Sequence, residues 1–529
     1  MPYLGKTCGE LAQRAEKPKI VNAEEEMRVK KVMVALALAA ALAASGNAAE
    51  MKHFRLGVLS EAFTLDPTQA TDTYSFGAAR QIFEPLVNVD GHTKKIYPVL
   101  AEKWEMPDDH TYKFYLRHGV KFHNGDEMKA SDVVFSLKRF ATESVFASSV
   151  GKFIDPEGFE APDDYTVIVR TKGPVGGFLE NMKLPAMAIM SERAVKEGGK
   201  EYFRHPVGTG PFKFVSWTKG ERIEMEAFKD YWGQKPAFEK FSIITLPDAS
   251  TRVIALETGK VDMIYQIPNN EVDRLNETGK AKVVQAPGLS LTYLGMNNDS
   301  PKLSDPRVRQ AIDLAINKDA YQQVVFQGMA VTPAGPLIPA STFTPKNSAP
   351  APFDQQKAKE LLAEAGVKNL TLSLWTTNSE ARVNGATVIQ SMLAQVGIRV
   401  EIQVFEGGVF YDRIKRNDHE LFLASWGMQT NRDAGKFWNG LFNSKAIGSS
   451  NNCRFSDKEI DEMIDASYAT LDQEKRFEIF QKIWERLLEL KPMIALSVSD
   501  ELYAGRKDLV GMEDLCDGQI NYLGNLTLK

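Results

Sequence analysis

The stretch 421–438, LFLASWGMQTNRDAGKFW, carries the residue types best suited to holding a small molecule. Leu421, Leu423 and Ser425 alternate as a half-buried strand does, and the strand runs into a loop rich in Gly, Asn and Asp. Trp426 and Gly427 stand where that strand ends. An aromatic plate beside backbone free of a side chain makes a ligand wall, because the ring offers apolar area and the amide groups stay open to hydrogen bonds. Ser425, Gln429, Asn431 and Asp433 add polar atoms around it. The set suits binding rather than catalysis.

Motifs for bond chemistry are missing from the chain. It has no G-x-S-x-G elbow, no Walker loop, no H-E-x-x-H and no dinucleotide fingerprint, so no cofactor is expected. The seven His, at 53, 92, 110, 118, 123, 205 and 419, do not pair at helical spacing. His118 and His123 flank a strand end and read as ordinary imidazoles, so no metal site is expected. A formal charge of −5 without basic stripes gives no footprint for nucleic acid.

Length sets the frame for these residues. A chain of 529 residues exceeds one growing core, so two to four domains are expected. Residues 27–31 are basic, 32–44 are apolar and rich in Ala and Leu, and small residues follow to Ala48. This is the layout of a cleavable secretory signal peptide over 27–48, too short to span a bilayer. Residues 1–26 then read as an upstream extension or a lost leader. No Cys stands at the cleavage point, so no lipid anchor is expected. Loss of residues 1–48 removes seven Lys or Arg and five Glu and takes the formal charge from −5 to −7. It also removes Cys8, leaving Cys453 and Cys516. In an oxidising compartment these two either form a disulfide or remain separate buried thiols.

The periodicity predicts an α/β chain. Strands are expected at 54–59, 112–116, 166–170, 222–227, 242–246, 261–265, 291–296, 370–375, 398–405 and 494–498, with helices between many of them. Ser131 is expected to cap a helix over 132–140, and Ser456 with Glu459 to form a capping box. Asp305 with Pro306 opens another helix, and Asp472 opens an amphipathic one running to 490. Residues 205–217, HPVGTGPFKFVSW, crowd Pro206, Gly208, Gly210 and Pro211 before an apolar run. That is a stiff, irregular crossing feeding a strand.

Several blocks in order resemble the periplasmic solute-binding proteins of the peptide, opine and nickel family, the extracytoplasmic receptors of ATP-driven importers. They are Leu65-Asp-Pro67, Phe83-Glu-Pro-Leu86, Leu100-Ala-Glu-Lys-Trp104, residues 111–125 (TYKFYLRHGVKFHNG), Ala130-Ser-Asp-Val133, Gly208-Thr-Gly-Pro-Phe212, residues 252–262 and Val308-Arg-Gln-Ala311. The likeness spans residues 50–529.

The resemblance implies an α/β, two-lobed binding protein with a hinge and an additional small domain. The first lobe is assembled from 49–85, 205–290 and 499–529, the inserted domain is 86–204, and the second lobe is 291–498. It implies a monomer that captures a small polar solute in the periplasm and delivers it to an inner-membrane ABC permease. Peptide-binding relatives follow the Trp-Gly pair with an Asp that grips the ligand's α-amine. Here that position is Gln429, and a neutral amide supplies no full charge for an ammonium. Asp433 substitutes through a shifted loop, or else Asp433 and Arg432 face solvent. A peptide, an opine, a sugar conjugate and a modified amino acid all remain open as solute. Further wall candidates are Glu61, Phe63 and Thr64, Tyr265 and Gln266, and Asn297 and Asn298. Two alternatives compete with import: a secreted hydrolase with an unrecognised site, and a binding module serving a sensory receptor.

Overall fold

The computed structural model describes residues 51–91, 93–148, 150–427, 434–515 and 522–529. Among them, three large sheets carry the fold, and no helix is long and apolar enough to cross a membrane. The first sheet runs Ala281–Ala286, Glu501–Arg506, Met263–Tyr265, Met51–Val58, Phe238–Thr245, Arg222–Ala227, Phe212–Thr218. Met51–Val58 lies parallel to both its neighbours, and the other pairs are antiparallel. Phe54, Leu56 and Val58 alternate onto one buried face, which is why this segment forms a central strand.

The second sheet runs Ala330–Val331, Met493–Ser499, Ser290–Met296, Leu421–Gly427, Thr371–Thr377, Arg399–Phe405. The third is antiparallel, in the order Ala101–Glu105, Thr111–Leu116, Thr166–Thr171, Ile154–Asp163. The helix Ala130–Glu143 covers it with buried Val133, Leu137 and Phe140. Two helix starts differ from expectation. Lys129, not Ser131, occupies the cap, because the Asp132 carboxylate takes both Lys129 N and Glu192 N at 2.9 Å. Asp457, not Ser456, caps Lys458–Ala469. Its carboxylate accepts Ile460 N at 3.0 Å and holds Arg486 at 2.8 and 2.9 Å, bonds a hydroxyl cannot match.

The crossing at 205–211 is a clamp between layers. Gly210 N donates to Ile82 O at 2.9 Å, and His123 N donates to Gly208 O at 2.9 Å. A Cβ on Gly208 would sit 1.9 Å from Ile82 O, and one on Gly210 2.6 Å from Gln81 O. Neither glycine has a positive φ, so both serve close approach rather than an unusual turn. His123 completes the clamp. Its Nδ1 accepts Gly208 N, which leaves Nε2 to donate to Gly210 O at 2.9 Å, and burial lowers its pKa to about 4.

The first and second sheets are joined by two adjacent crossings. One runs between Ala286 and Ser290, the other between Ser499 and Glu501. Ala286 pairs with Glu501 on one side and Leu291 with Val498 on the other. Gly288 packs so closely on Ser499 that a Cβ there would meet its carbonyl oxygen at 1.9 Å.

Candidate functional site

A cavity of about 530 Å3 lies where the three layers meet. Its first wall is built from the carboxyl ends of parallel strands, where open α/β sheets present ligand sites. Leu59 follows Met51–Val58, and Gln266 follows Met263–Tyr265. Between them the helix Thr73–Ile82 presents its N-terminal residues, Asp72 to Tyr74. Tyr74 Oη donates to Gln266 Oε1 at 2.9 Å, and Arg252 Nη2 donates to Gln266 O at 2.9 Å. Gln266 holds φ 57, a left-handed conformation for a non-glycine residue, and these bonds keep it there. Burial pushes the Tyr74 hydroxyl up to about 12.

The second wall is the end of Leu421–Gly427, where burial gives way to exposure at Ser425, Trp426 and Gly427. Trp426 meets Phe437 edge-on at 6.3 Å and 84°. Gly440 leaves the space its ring fills, since a Cβ there would lie 2.8 Å from the indole. Ser425 Oγ accepts Arg382 Nη2 at 2.6 Å and lies 2.9 Å from Thr292 Oγ1. Arg382 Nη1 is buried without a hydrogen-bond partner, and burial lowers the pKa of the guanidinium. Lys436, on the helix Ala434–Phe442, completes this wall. Its Nζ lies 4.9 Å from the ring of Phe146, which the third layer contributes, and burial lowers its pKa to about 8.

Two other hollows are less suited to a solute. One of about 20 Å3 is a packing gap beside Asp313, Lys318 and Lys491. Another of about 730 Å3 is an outer groove confined to residues 390–401.

Of the residues singled out in the sequence, Trp426 and Gly427 line the cavity, and Ser425 braces the wall behind them. Gln429, Asn431, Arg432 and Asp433 lie outside the described residues, as does Cys516. Tyr265 does not line the cavity: it is buried, its hydroxyl bonded to Glu501 at 2.9 Å, and its neighbour Gln266 takes the wall position. Asn297 is also buried away from the site, giving Nδ2 to Asn417 Oδ1 at 2.7 Å and to His419 O at 2.8 Å. Asn298 Nδ2 binds Met296 O and Cys453 O in the same turn. Glu61 accepts Gly220 N at 2.7 Å, Thr64 N donates to Ser75 Oγ at 3.1 Å, and Phe63 is 79% exposed; none of the three lines the cavity. Cys453 is a free, buried thiol, and burial pushes it up to about 12. His118 packs on Tyr165, with ring centroids 3.7 Å apart. Asp72, Tyr74, Phe146, Arg382 and Lys436 carried no sequence signal beyond a helix start or an ordinary charge.

Known proteins share both fold and sequence with this chain. The family model described as bacterial extracellular solute-binding proteins, family 5 (middle), matches residues 95–448. The chain is 31% identical over 492 residues to the glutathione-binding protein GsiB of Pectobacterium atrosepticum, covering 90% of this chain and 95% of that one. The ABC transporter-associated periplasmic binding protein DppA from Helicobacter pylori, in complex with the peptide STSA, matches with TM-score 0.77 and 29% identity, covering 90% of this chain and 98% of that one. AgaA from A. tumefaciens R10, in complex with agropinic acid, matches with TM-score 0.75 and 27% identity, over 90% of this chain and 99% of that one.

Proposed function

We propose, for a chain that belongs to the bacterial extracellular solute-binding proteins, family 5, and serves as the periplasmic solute-binding component of an ABC importer, that its solute is a small peptide-like molecule bearing a carboxylate. The architecture proposed is two lobes with an inserted domain. Residues 49–85, 205–290 and 499–529 form the first lobe, 86–204 the small domain, and 291–498 the second lobe. The adjacent crossings at 287–289 and Asp500 are the hinge, where the chain passes between the two larger sheets.

The observation that carries this reading is the cavity itself. Its walls come from sheets joined at those crossings, so rotation about them opens and shuts it. Its volume of about 530 Å3 falls within the span of small-ligand sites, roughly 300–1,000 Å3. Trp426 stacks on the solute, Gly427 offers backbone groups, and Gln429 exchanges a hydrogen bond with it. Arg382, braced by Ser425 and with Nη1 unpartnered, is a fixed receptor for a carboxylate near the strand end. Glutathione, the peptide STSA and agropinic acid, named for the relatives, all carry such a group. The solute bridges both lobes and shifts the population toward the closed form, which the permease recognises. No bond in the solute is made or broken.

Mass spectrometry of the small molecule that co-purifies from the periplasm tests this, followed by calorimetry and solution scattering. One carboxylate-bearing solute binding at one site, with a more compact particle, is expected. A particle unchanged by glutathione, small peptides and agropinic acid alike, or steady release of a reaction product, defeats it.

A further inference from the structure

Behind the first wall lies a buried cation whose partners are backbone carbonyls. Arg252, on the helix Ala249–Glu257, is 3% exposed. Its Nη1 donates to Leu246 O at 2.7 Å and to Pro247 O at 2.9 Å, and its Nη2 donates to Gln266 O at 2.9 Å. Leu246 follows the strand Phe238–Thr245 and Gln266 follows Met263–Tyr265, the two neighbours of Met51–Val58. Leu246 N donates in turn to Val58 O at 2.7 Å, so the carboxyl ends of three adjacent strands are tied together. Burial lowers the pKa of the guanidinium, and an apolar side chain would fill the same space at less cost. What the charge adds is a fixed position for Gln266. That residue lines the cavity, and its φ of 57 is one that few side chains adopt unaided. Its N donates to Leu502 O at 3.0 Å, its O accepts Arg252, and its Oε1 accepts Tyr74 Oη at 2.9 Å. The positive charge of Arg252 acts on the Tyr74 hydroxyl, which turns the phenol oxygen toward the guanidinium and its proton toward Gln266. The side-chain amide is thereby oriented, and among the described residues its Nε2 has no hydrogen-bond partner. A half-buried donor on a cavity wall is left to whatever fills the cavity.

We propose that Gln266 is a specificity-determining residue that gives an Nε2 hydrogen to a neutral carbonyl oxygen of the solute, and that Arg252 is the residue that positions it. The assignment rests on the reading that this cavity is the solute site, and it adds an uncharged carbonyl to the carboxylate taken by Arg382. The acceptor is neutral because Asp72 lines the same wall and disfavours a second anion there. Gln266 and Trp426 stand on facing walls, so the carbonyl is read from the side opposite the aromatic plate. A side chain free to rotate would lose entropy on donating this bond. One held at its main-chain N, its main-chain O and its Oε1 loses little, which is what the buried guanidinium contributes.

The test is calorimetry on the full mature protein with glutathione, Ala-Ala and Ala-Ala-Ala, each also prepared with its amide bonds replaced in turn by a trans alkene. The alkene keeps the shape of the amide and has no carbonyl. For a parent that binds, one alkene analogue is expected to bind wild type ~10-fold more weakly, as loss of a neutral hydrogen bond implies. The alkene also lacks the amide N–H, so the comparison with a variant isolates the contact to Gln266. Gln266→Met is expected to bind the parent ~10-fold more weakly and to bind that analogue as tightly as the parent. Arg252→Lys keeps the charge and fills the space, but a point charge does not hold both sets of carbonyls as the planar fork does. Its discrimination between parent and analogue is expected to shrink to ~3-fold, a ratio that a purely structural role would leave unchanged. Wild type that binds a parent and all its alkene analogues equally overturns the assignment alone, as does Gln266→Met that still discriminates as wild type does. Arg252→Lys with full wild-type discrimination overturns the positioning role. Wild type that binds none of the three parents overturns the solute class and this assignment together.

Discussion

Gly176 offers a way to loosen closure without touching the solute. It lies in the proposed small domain, and its N donates to Tyr468 O, in the proposed second lobe, at 2.7 Å. Beside it, Phe153 stacks on Tyr468 with centroids 4.8 Å apart and planes at 28°, and Gln473 Nε2 donates to Glu180 Oε1 at 3.2 Å. They lie away from the cavity, and on the proposed hinge an opening of the lobes separates them. A Cβ on Gly176 would lie 2.4 Å from Thr470 O and 2.6 Å from Arg476 Nε. Neither can retreat: one is backbone, and the other is 1% exposed, with its guanidinium over the rings of Phe343 and Phe480. Gly176→Val therefore breaks the closed contact, while the φ of Gly176 is not positive and its own backbone tolerates a side chain in the open form. Losing the hydrogen bond costs about 1 kcal/mol and the ring stack about 1 kcal/mol. The closing equilibrium then shifts by about 30-fold, and the apparent Kd rises by up to that factor if the closed form is the binding-competent one. Calorimetry reads the Kd and solution scattering reads closure. Gly173→Ala is the control, since a Cβ there meets nothing within 4 Å. A Gly176→Val protein that binds as tightly as wild type and compacts equally on binding refutes the reasoning.

Two further outcomes are expected. Trp426→Ala removes the plate at the strand end and is expected to weaken solute binding by about 2 kcal/mol while leaving the melting temperature within a few degrees of wild type, read by calorimetry and thermal melts. Asp313 lies buried between Lys318 Nζ at 2.7 Å and Lys491 Nζ at 2.9 Å. Burial alone raises its carboxyl, but the two ammoniums outweigh it and hold the pKa low. Asp313→Asn leaves both cations unpaired and is expected to cost roughly 3–5 kcal/mol in chemical denaturation.

The layers were legible in the sequence because strand and helix periodicity follow burial, and burial follows residue type. The strands around Phe54, Tyr112 and Leu421 and the caps at Asp305 and Asp472 appear where alternation and capping chemistry place them. The crossing at 205–211 was legible as stiff, though its glycines serve contact with Ile82 rather than backbone freedom. The site was legible only in part, because standing at a strand end does not say which way a side chain points. Tyr265 belongs to a strand and its alternation turns it inward to Glu501; Gln266, one residue on, leaves the strand at φ 57 and reaches the wall.

Asn297 shows a second limit, and it bears on how the cleft is built. Ser290–Met296 and Leu421–Gly427 are antiparallel, with Ser290 opposite Gly427 and Met296 opposite Leu421. The cavity therefore sits where one strand begins and the other ends, and Asn297 follows the far end. The same geometry places the solute wall beside the proposed hinge, because Ser290 is also where the chain arrives from the first sheet. On the proposed hinge, Trp426 and Gly427 lie near the pivot, where rotation displaces them least, whereas Tyr468 and Gly176 belong to the contact that such rotation makes or breaks. A binding protein arranged this way recognises its solute on a wall that hardly moves and completes closure through a clasp elsewhere. Affinity can then change at Gly176 without a change in the wall that Trp426 and Gly427 offer.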